Sequence, residues 1–152
     1  NDQVFLNQEL FGGDPKTSGI DLLIATELIT KYLQSIPGVA FVYSESILRQ
    51  GNFSEAGTKG MIVRGFYPKR SGDIAYVLEP GWITSSGVTG TTHGSSYIYD
   101  THVPMIFYGT GIKKGSSTQY HPITDIAPTL SILLKIEFPS GCSGQPISEL
   151  LD

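Results

Sequence analysis

Residues 91–109 read TTHGSSYIYDTHVPMIFYG, and this stretch divides into a polar part and an apolar part. The polar part continues a run of glycine, serine and threonine over residues 85–96, which predicts a loop without regular structure. The apolar part, Pro104 to Tyr108, predicts a buried strand closed by the Gly109-Thr110-Gly111 turn. The stretch therefore predicts a loop carrying His93, followed by a strand of the core.

His93 is the first candidate for chemistry. Gly94 follows it and lets backbone and ligand approach closely, and a neutral imidazole is a good zinc ligand. Loops on a rigid scaffold are also where functional sites are commonly built. Spacing alone leaves the question open, because a loop histidine hydrogen-bonded to backbone is the commoner arrangement.

The residues before this stretch predict a small α+β lobe with helices on one side of a sheet. Apolar residues at helical spacing predict a helix over residues 20–36, which Pro37-Gly38 ends. The apolar stripe of this helix comprises Ala25, Leu28, Ile29, Tyr32, Leu33 and Ile36. Strands are predicted at Val4 to Leu6, Val39 to Tyr43 and Ile74 to Leu78, with shorter helices at 44–48 and 55–67.

A final helix is predicted to begin near Thr124-Asp125. Asp125 has the side chain of an N-cap residue, and Pro128 then falls in the first turn, where a missing N–H costs nothing. We expect the apolar face of this helix to be packed in a core, like the stripe of the first helix. That face comprises Ile126, Leu130, Leu133 and Leu134.

Composition and charge exclude several classes of function. The chain has 152 residues, 39% of them hydrophobic, which suffices for the core of one domain. Its net charge is -4, with a pI of about 5.3. Binding to the phosphate backbone of a nucleic acid requires clustered Lys and Arg, so nucleic acid is not expected as a partner. No apolar run approaches the roughly 18 residues of a membrane span. Because the chain opens at Asn1 rather than Met, we expect it to be cut from something longer.

Three segments, taken in order, resemble a known family. They are GDIAYVLEPGW at residues 72–82, the stretch at 91–109, and TDIAPTL at residues 124–130. Together they resemble the C-terminal signature of bacterial alkaline phosphatases of the type I phosphodiesterase/nucleotide pyrophosphatase branch of the alkaline phosphatase superfamily. The match is strong over residues 72–134 and looser over residues 1–71.

The resemblance implies that residues 1–152 are a single C-terminal fragment of an α/β enzyme. The fragment itself is expected to be α+β, a mixed sheet with helices packed on it, and residues 1–83 would form the small α+β lobe. Residues 84–152 would return to the catalytic core with the metal-ligand loop. In that family the histidine of the THG element completes one site of a two-zinc centre, a role we carry onto His93. The nucleophile and the other ligands lie upstream, so no catalytic residue is expected in this chain, and the isolated chain is expected to be inactive and free of zinc.

The implied function is zinc-dependent hydrolysis of phosphate monoesters through a phospho-enzyme. Two alternatives stay open: a phosphodiesterase or nucleotide pyrophosphatase of the same superfamily, and a non-catalytic binding lobe that kept the fold. The implied partners are a phosphate-ester substrate and the missing N-terminal catalytic region of the same protein. The resemblance also implies a periplasmic or secreted location.

Other polar residues have weaker claims. The order His121-x-x-x-Asp125 reverses the family's Asp-x-x-x-His, and helix capping by Asp125 explains that pair better than a metal does. Asp100 and His102 flank Thr101 and would point the same way if extended, so they either support a metal ligand or, more simply, anchor the turn by hydrogen bonds. The remaining aromatic candidates either wall a substrate pocket or pack against the core, and they are Trp82, Tyr97 and Tyr99.

Overall fold

The computed structural model describes residues 2–11, 21–85 and 87–151. Contacts divide the chain into two compact units, Asn1–Val103 and Pro104–Asp152. The first unit contains β1 (Gln3–Val4), a 3₁₀ helix (Gln8–Leu10), α1 (Leu22–Ser35), β2 (Val39–Ser44), α2 (Glu45–Arg49), α3 (Gly57–Gly65), β3 (Ile74–Leu78) and α4 (Ile98–Thr101). The second contains a 3₁₀ helix (Ile123–Asp125), α5 (Ile126–Leu134) and a 3₁₀ helix (Ser148–Leu150).

A three-stranded sheet with the order β1-β3-β2 organises the first unit. Strand β3 is central because it is the most apolar strand, and its neighbours cover both of its edges. Tyr43 pairs with Ala75 on one side, and Val4 pairs with Ile74 on the other. The expected combination of a sheet with packed helices is confirmed. Both strand pairs are antiparallel, however, where a mixed sheet was expected.

The core of this unit lies on both faces of the sheet. On one face, Ala75 packs with Leu48 of α2 and Val63 of α3, and Tyr43 lies against this cluster. Successive residues of a strand point to opposite faces, so Ile74, which is 0% exposed, marks a second buried face. Helix α1 also contacts β2 and β3. The expectation of helices on only one side of the sheet was therefore wrong.

Helix α1 confirms the predicted long helix, although Ile20 lies outside the described residues. Asp21 is its N-cap, since its Oδ1 accepts a hydrogen bond from the Leu23 amide at 2.7 Å. The predicted apolar stripe is only partly correct. Ala25 is buried, whereas Leu28 and Tyr32 are exposed. The helix has more apolar residues than one face can hold, and spacing did not reveal which of them face the sheet.

Helix α5 begins where the sequence predicted, and Pro128 is buried in its first turn. Its predicted burial pattern was wrong, because Leu130 and Leu134 are 42% and 65% exposed while Thr129 and Ser131 are buried. The segment IAPTLSILL is apolar around most of its circumference. Such a helix offers several candidate faces, and the residues available to pack against it select the buried one.

The predicted strand at residues 104–108 does not form. Ile106 is 86% exposed, and Tyr108 is fully exposed. A strand requires a neighbour to accept its backbone hydrogen bonds, and the described part of Pro104–Asp152 contains no strand. The polar run before it behaves as predicted: residues 85 and 87–96 contain neither helix nor strand, and Ser86 lies outside the described residues.

Candidate functional site

His93 lies on the wall of an open cleft in the first unit. The cleft has a volume of about 730 Å³ and is also lined by Trp82, Tyr97, Tyr99 and Asp100. His93 is exposed to solvent. Its side chain makes no hydrogen bond to the described residues, so its imidazole nitrogens are available to a ligand that enters the cleft.

The turn that follows His93 is closed by Asp100. The Ser95 amide donates a hydrogen bond to Asp100 Oδ2 at 2.9 Å. Hydrogen bonds from Ser95 hold the pKa of Asp100 below its usual range, with a smaller contribution from the nearby His93. Asp100 itself is held in α4, because its amide donates a hydrogen bond to the Tyr97 carbonyl at 2.9 Å. The sequence did not predict this short helix. Asp100 therefore anchors the turn by a hydrogen bond, which is one of the two roles expected for it.

His102 does not share this role with Asp100. The expectation that the two point the same way assumed an extended segment, but Asp100 lies within α4 and His102 follows the last residue of that helix. The two residues therefore do not have the alternating geometry of a strand. His102 is exposed, and Asp100 is directed into the turn beside His93.

Two tyrosines attach this turn to the end of β3. The Tyr97 hydroxyl donates to the Leu78 carbonyl at 2.8 Å, and burial raises the pKa of Tyr97, so the hydroxyl stays protonated. The Tyr99 hydroxyl accepts a hydrogen bond from the Gly81 amide at 3.1 Å. The two rings stack, with centroids 5.8 Å apart. The two tyrosines thus line the cleft and also pack against each other, while their contact with a substrate stays a prediction.

A metal ion bound by His93 would need further ligands from outside the described residues. Over residues 2–11, 21–85 and 87–151, no three His, Cys, Asp or Glu side chains lie together so that they could hold a metal. One oxygen of the Asp100 carboxylate, Oδ2, already accepts the Ser95 amide. His93 is the one histidine among the described residues that line the cleft. One imidazole would suit a metal site that takes its other ligands from elsewhere.

A separate polar cluster surrounds His121 in the second unit. His121 Nδ1 lies 3.5 Å from Asp125 Oδ2, and His121 Nε2 lies 3.4 Å from Glu149 Oε1. Nε2 is buried and has no partner with hydrogen-bond geometry in the described residues. Hydrogen bonding by its own backbone is the main reason why the pKa of Glu149 is lowered, and attraction to His121 adds to this. Glu149 carried no sequence signal, because only the fold brings it near His121.

Asp125 does not cap α5 with its side chain, contrary to the prediction. Its Oδ1 instead accepts a hydrogen bond from the Gln145 amide at 2.8 Å. The 3₁₀ turn at Ile123–Asp125 places Asp125 in helical geometry, so its side chain points away from the first amides of α5. The residue holds two segments of the second unit together, which is a structural role.

Comparison with known proteins identifies the family. The chain is 36% identical to alkaline phosphatase PafA of Elizabethkingia meningoseptica over 151 residues, covering 99% of this chain and 27% of that protein. The crystal structure of wild-type PafA matches 99% of the chain with a TM-score of 0.83, at 36% identity and over 28% of its own length. The chain belongs to the alkaline phosphatase superfamily. The similarity extends over residues 1–71 as well as over the segments that carried the resemblance.

Other relatives of this superfamily member carry two kinds of name. Alkaline phosphatase PhoV of Synechococcus elongatus is 41% identical over 93 residues, or 61% of this chain and 17% of that protein. A protein of Myroides odoratus named calcium-transporting ATPase is 40% identical over 153 residues, or 100% of this chain and 27% of that protein.

No family model matches the chain. The chain thus spans about a quarter of the length of its first relatives. None of its described helices is both long and apolar enough to cross a membrane.

Proposed function

We propose that this chain is the C-terminal part of a zinc-dependent phosphate-ester hydrolase, which we call the parent enzyme, and that His93 is one of its metal ligands. The observation that carries the proposal is the placement of His93. It is an exposed imidazole on a cleft wall, in a turn that Asp100 closes and Tyr97 attaches to the central strand. The relatives named alkaline phosphatase support the reaction class.

His93 would hold zinc through a neutral imidazole nitrogen. A catalytic zinc centre takes about three protein ligands and keeps one position open, so the remaining ligands would come from the rest of the parent enzyme. Bound zinc would supply Lewis-acid polarisation and a water nucleophile at neutral pH. The part played by this chain is to present the imidazole at the cleft.

The proposed reaction is phosphomonoester hydrolysis through a phospho-enzyme formed on a threonine or serine of the upstream region. This chain carries a net charge of -4, so the attraction for a phosphate group must come from the metals and from that region. Phosphodiester or nucleotide pyrophosphate hydrolysis is the alternative chemistry. A periplasmic or secreted location is proposed from the family resemblance.

The upstream region is also the proposed partner of the exposed apolar surface. Large apolar patches are uncommon on the surfaces of monomeric soluble proteins. In the second unit, Ile106, Leu130 and Leu134 are exposed. In the first unit, Leu28 and Tyr32 lie one helical turn apart on the exposed side of α1. These exposed side chains are of the kind that cores contain, and they would be covered in the parent enzyme.

The test is hydrolysis by the parent enzyme with and without a zinc chelator. An aryl phosphate, a diaryl phosphate and ATP separate monoesterase, diesterase and nucleotide hydrolysis, and the ATP assay addresses the relative named calcium-transporting ATPase. We expect the aryl phosphate to be the best substrate. His93→Ala should weaken zinc binding and depress hydrolysis, whereas His102→Ala, at another exposed histidine, should change neither. Full activity in the His93→Ala enzyme would refute the assignment of His93.

A non-catalytic lobe is the remaining alternative. It predicts a different result in the same assay: no zinc-dependent turnover of any of the three substrates by the intact parent protein. A parent that binds zinc through His93 but hydrolyses none of them would also favour this alternative, because it would retain the site without the chemistry.

A further inference from the structure

We infer that Asp100 and Tyr97 are positioning residues for His93, which they orient through the turn at residues 94–99. The inference rests on the proposed function of His93 and adds two residues to it. Neither side chain is proposed as a metal ligand. Each acts on the backbone that carries the imidazole.

The backbone is held very differently on the two sides of His93. Before it, the described hydrogen bonds of the polar run are local, such as the Gly87 amide to Ser85 Oγ at 3.0 Å. After it, Ser96 Oγ donates to Thr58 Oγ1 at 3.0 Å, in addition to the bonds made by Ser95 and the two tyrosines. The position of His93 is therefore determined from its C-terminal side.

Asp100 controls the shape of the turn. Its carboxylate accepts the Ser95 amide, which lies only two residues from His93. Gly94 joins the two with a φ of 109°, a conformation open to glycine at little cost. Loss of the carboxylate would leave the Ser95 amide without its acceptor and free the segment that aims the imidazole.

Tyr97 controls where the turn sits. Its hydroxyl bonds to the carbonyl of Leu78, the last residue of the central strand β3. Its ring stacks on that of Tyr99. The Tyr99 hydroxyl accepts a hydrogen bond from the Gly81 amide, just beyond the same strand. The turn is thus attached to the most buried strand of the first unit, and that strand provides the fixed reference for the imidazole.

The expected consequence is a loss of metal affinity without loss of the ligand itself. Residues that orient a metal ligand commonly contribute roughly ten- to a hundred-fold to metal affinity. Asp100→Ala should fall in that range, since the turn loses its closing bond. Tyr97→Phe keeps the stacked ring and loses only the hydroxyl, so its loss should be smaller, roughly three- to ten-fold. Asp100→Asn retains an oxygen that can accept the Ser95 amide and should restore most of the affinity.

The experiment measures zinc affinity of the parent enzyme by competition with a fluorescent zinc chelator. Tyr67→Phe is the matched control for Tyr97→Phe, because the Tyr67 ring is exposed and its hydroxyl bonds to none of the described residues. Val63→Ala is the control for general destabilisation, since it removes volume from the core without touching the turn. The melting temperature of every variant is recorded beside its affinity.

Weaker zinc binding in Asp100→Ala and Tyr97→Phe, with Tyr67→Phe and Val63→Ala unchanged, establishes the positioning role. Recovery of hydrolysis at saturating zinc would agree with it. Affinities in the two positioning variants no lower than in Val63→Ala, at a comparable melting temperature, overturn the inference while the role of His93 stands. If His93→Ala itself leaves zinc affinity intact, the proposed function fails, and the inference fails with it.

Discussion

The two units bury different kinds of side chain. The core of the first unit is apolar, built from Leu48, Val63 and Ala75 around a sheet. The described buried side chains of the second unit include Asp125, Thr129 and Ser131, which are polar, while Leu130 and Leu134 are exposed. Apolar burial is the dominant favourable term in folding. The comparison therefore shows a first unit with its own apolar core, and a second unit that buries Pro128 and Ile147 but leaves most of its large apolar side chains exposed.

The hydrogen bonds of Thr129 illustrate how the second unit is held. Thr129 is fully buried, its hydroxyl donates to the Asp125 carbonyl at 2.6 Å, and it accepts the Ile147 amide at 2.9 Å. Each such bond contributes only about 0.5–1.5 kcal/mol net. A unit that depends on a few of these bonds is weakly held compared with one that buries several aliphatic side chains.

The largest expected effect concerns activity. The isolated chain should show no turnover of an aryl phosphate with added zinc, because removing the nucleophile and the other ligands of such a centre costs many orders of magnitude in rate. A phosphate-release assay against buffer checks this, with His93→Ala as control. Zinc-dependent turnover that the control abolishes would show that this chain holds a complete site.

The next effect tests the apolar contrast directly. Ile74→Ala should destabilise the first unit by about 2–5 kcal/mol, because it opens a cavity at a fully buried position. Ile106→Ala removes the same atoms at a position 86% exposed and should change stability by less than about 0.5 kcal/mol. Urea unfolding of the two variants measures the difference. Equal costs would mean that residues 104–108 are buried in solution.

A third, smaller effect concerns the polar interior of the second unit. Thr129→Val keeps the shape of the side chain but leaves the buried Ile147 amide without its acceptor, which should cost about 1–3 kcal/mol. Thr118→Val makes the same change at an exposed position and should be nearly neutral. Hydrogen exchange of the α5 amides reports the loss. Unchanged protection in Thr129→Val would show that packing, rather than this network, holds the unit.

The smallest effect is a pH dependence of the turn beside His93. Because hydrogen bonds from Ser95 lower the pKa of Asp100, the contribution of this contact is complete above the usual pKa of an aspartate and is lost as the pH falls through the lowered value. The Ser95 amide chemical shift, followed by NMR, should titrate in that acidic range. Asp100→Asn should remove the transition. An inflection at or above the usual aspartate range would contradict the proposed contact.

Local signals predicted the elements well. Helix α1, at Leu22–Ser35, lies within the predicted residues 20–36, and the β3 segment was recognised from its apolar run. What failed depended on partners distant in the sequence. Residues 104–108 have the composition of a strand, but composition does not supply a neighbouring strand. Asp125 has the side chain of a cap, but the Gln145 amide competes for it.

The candidate site divides in the same way. His93 was proposed from the sequence because it is a histidine in a glycine-rich loop and because residues 91–109 resemble a family signature. The attachment of Tyr97 to Leu78 was invisible, since the two residues meet only when the turn folds back onto β3. For Asp100 the sequence offered two roles, support of a metal ligand or anchoring of the turn, and could not decide between them.

Trp82 gives the first unit a built-in optical probe. It is the chain's one tryptophan. Its indole ring lies so close to Gly38, at the turn before β2, that a Cβ at that position would collide with it. The same residue lines the cleft beside His93. Intrinsic tryptophan fluorescence therefore reports on the first unit alone: its emission will shift when that unit unfolds, and quenching by a molecule entering the cleft can be followed without any label.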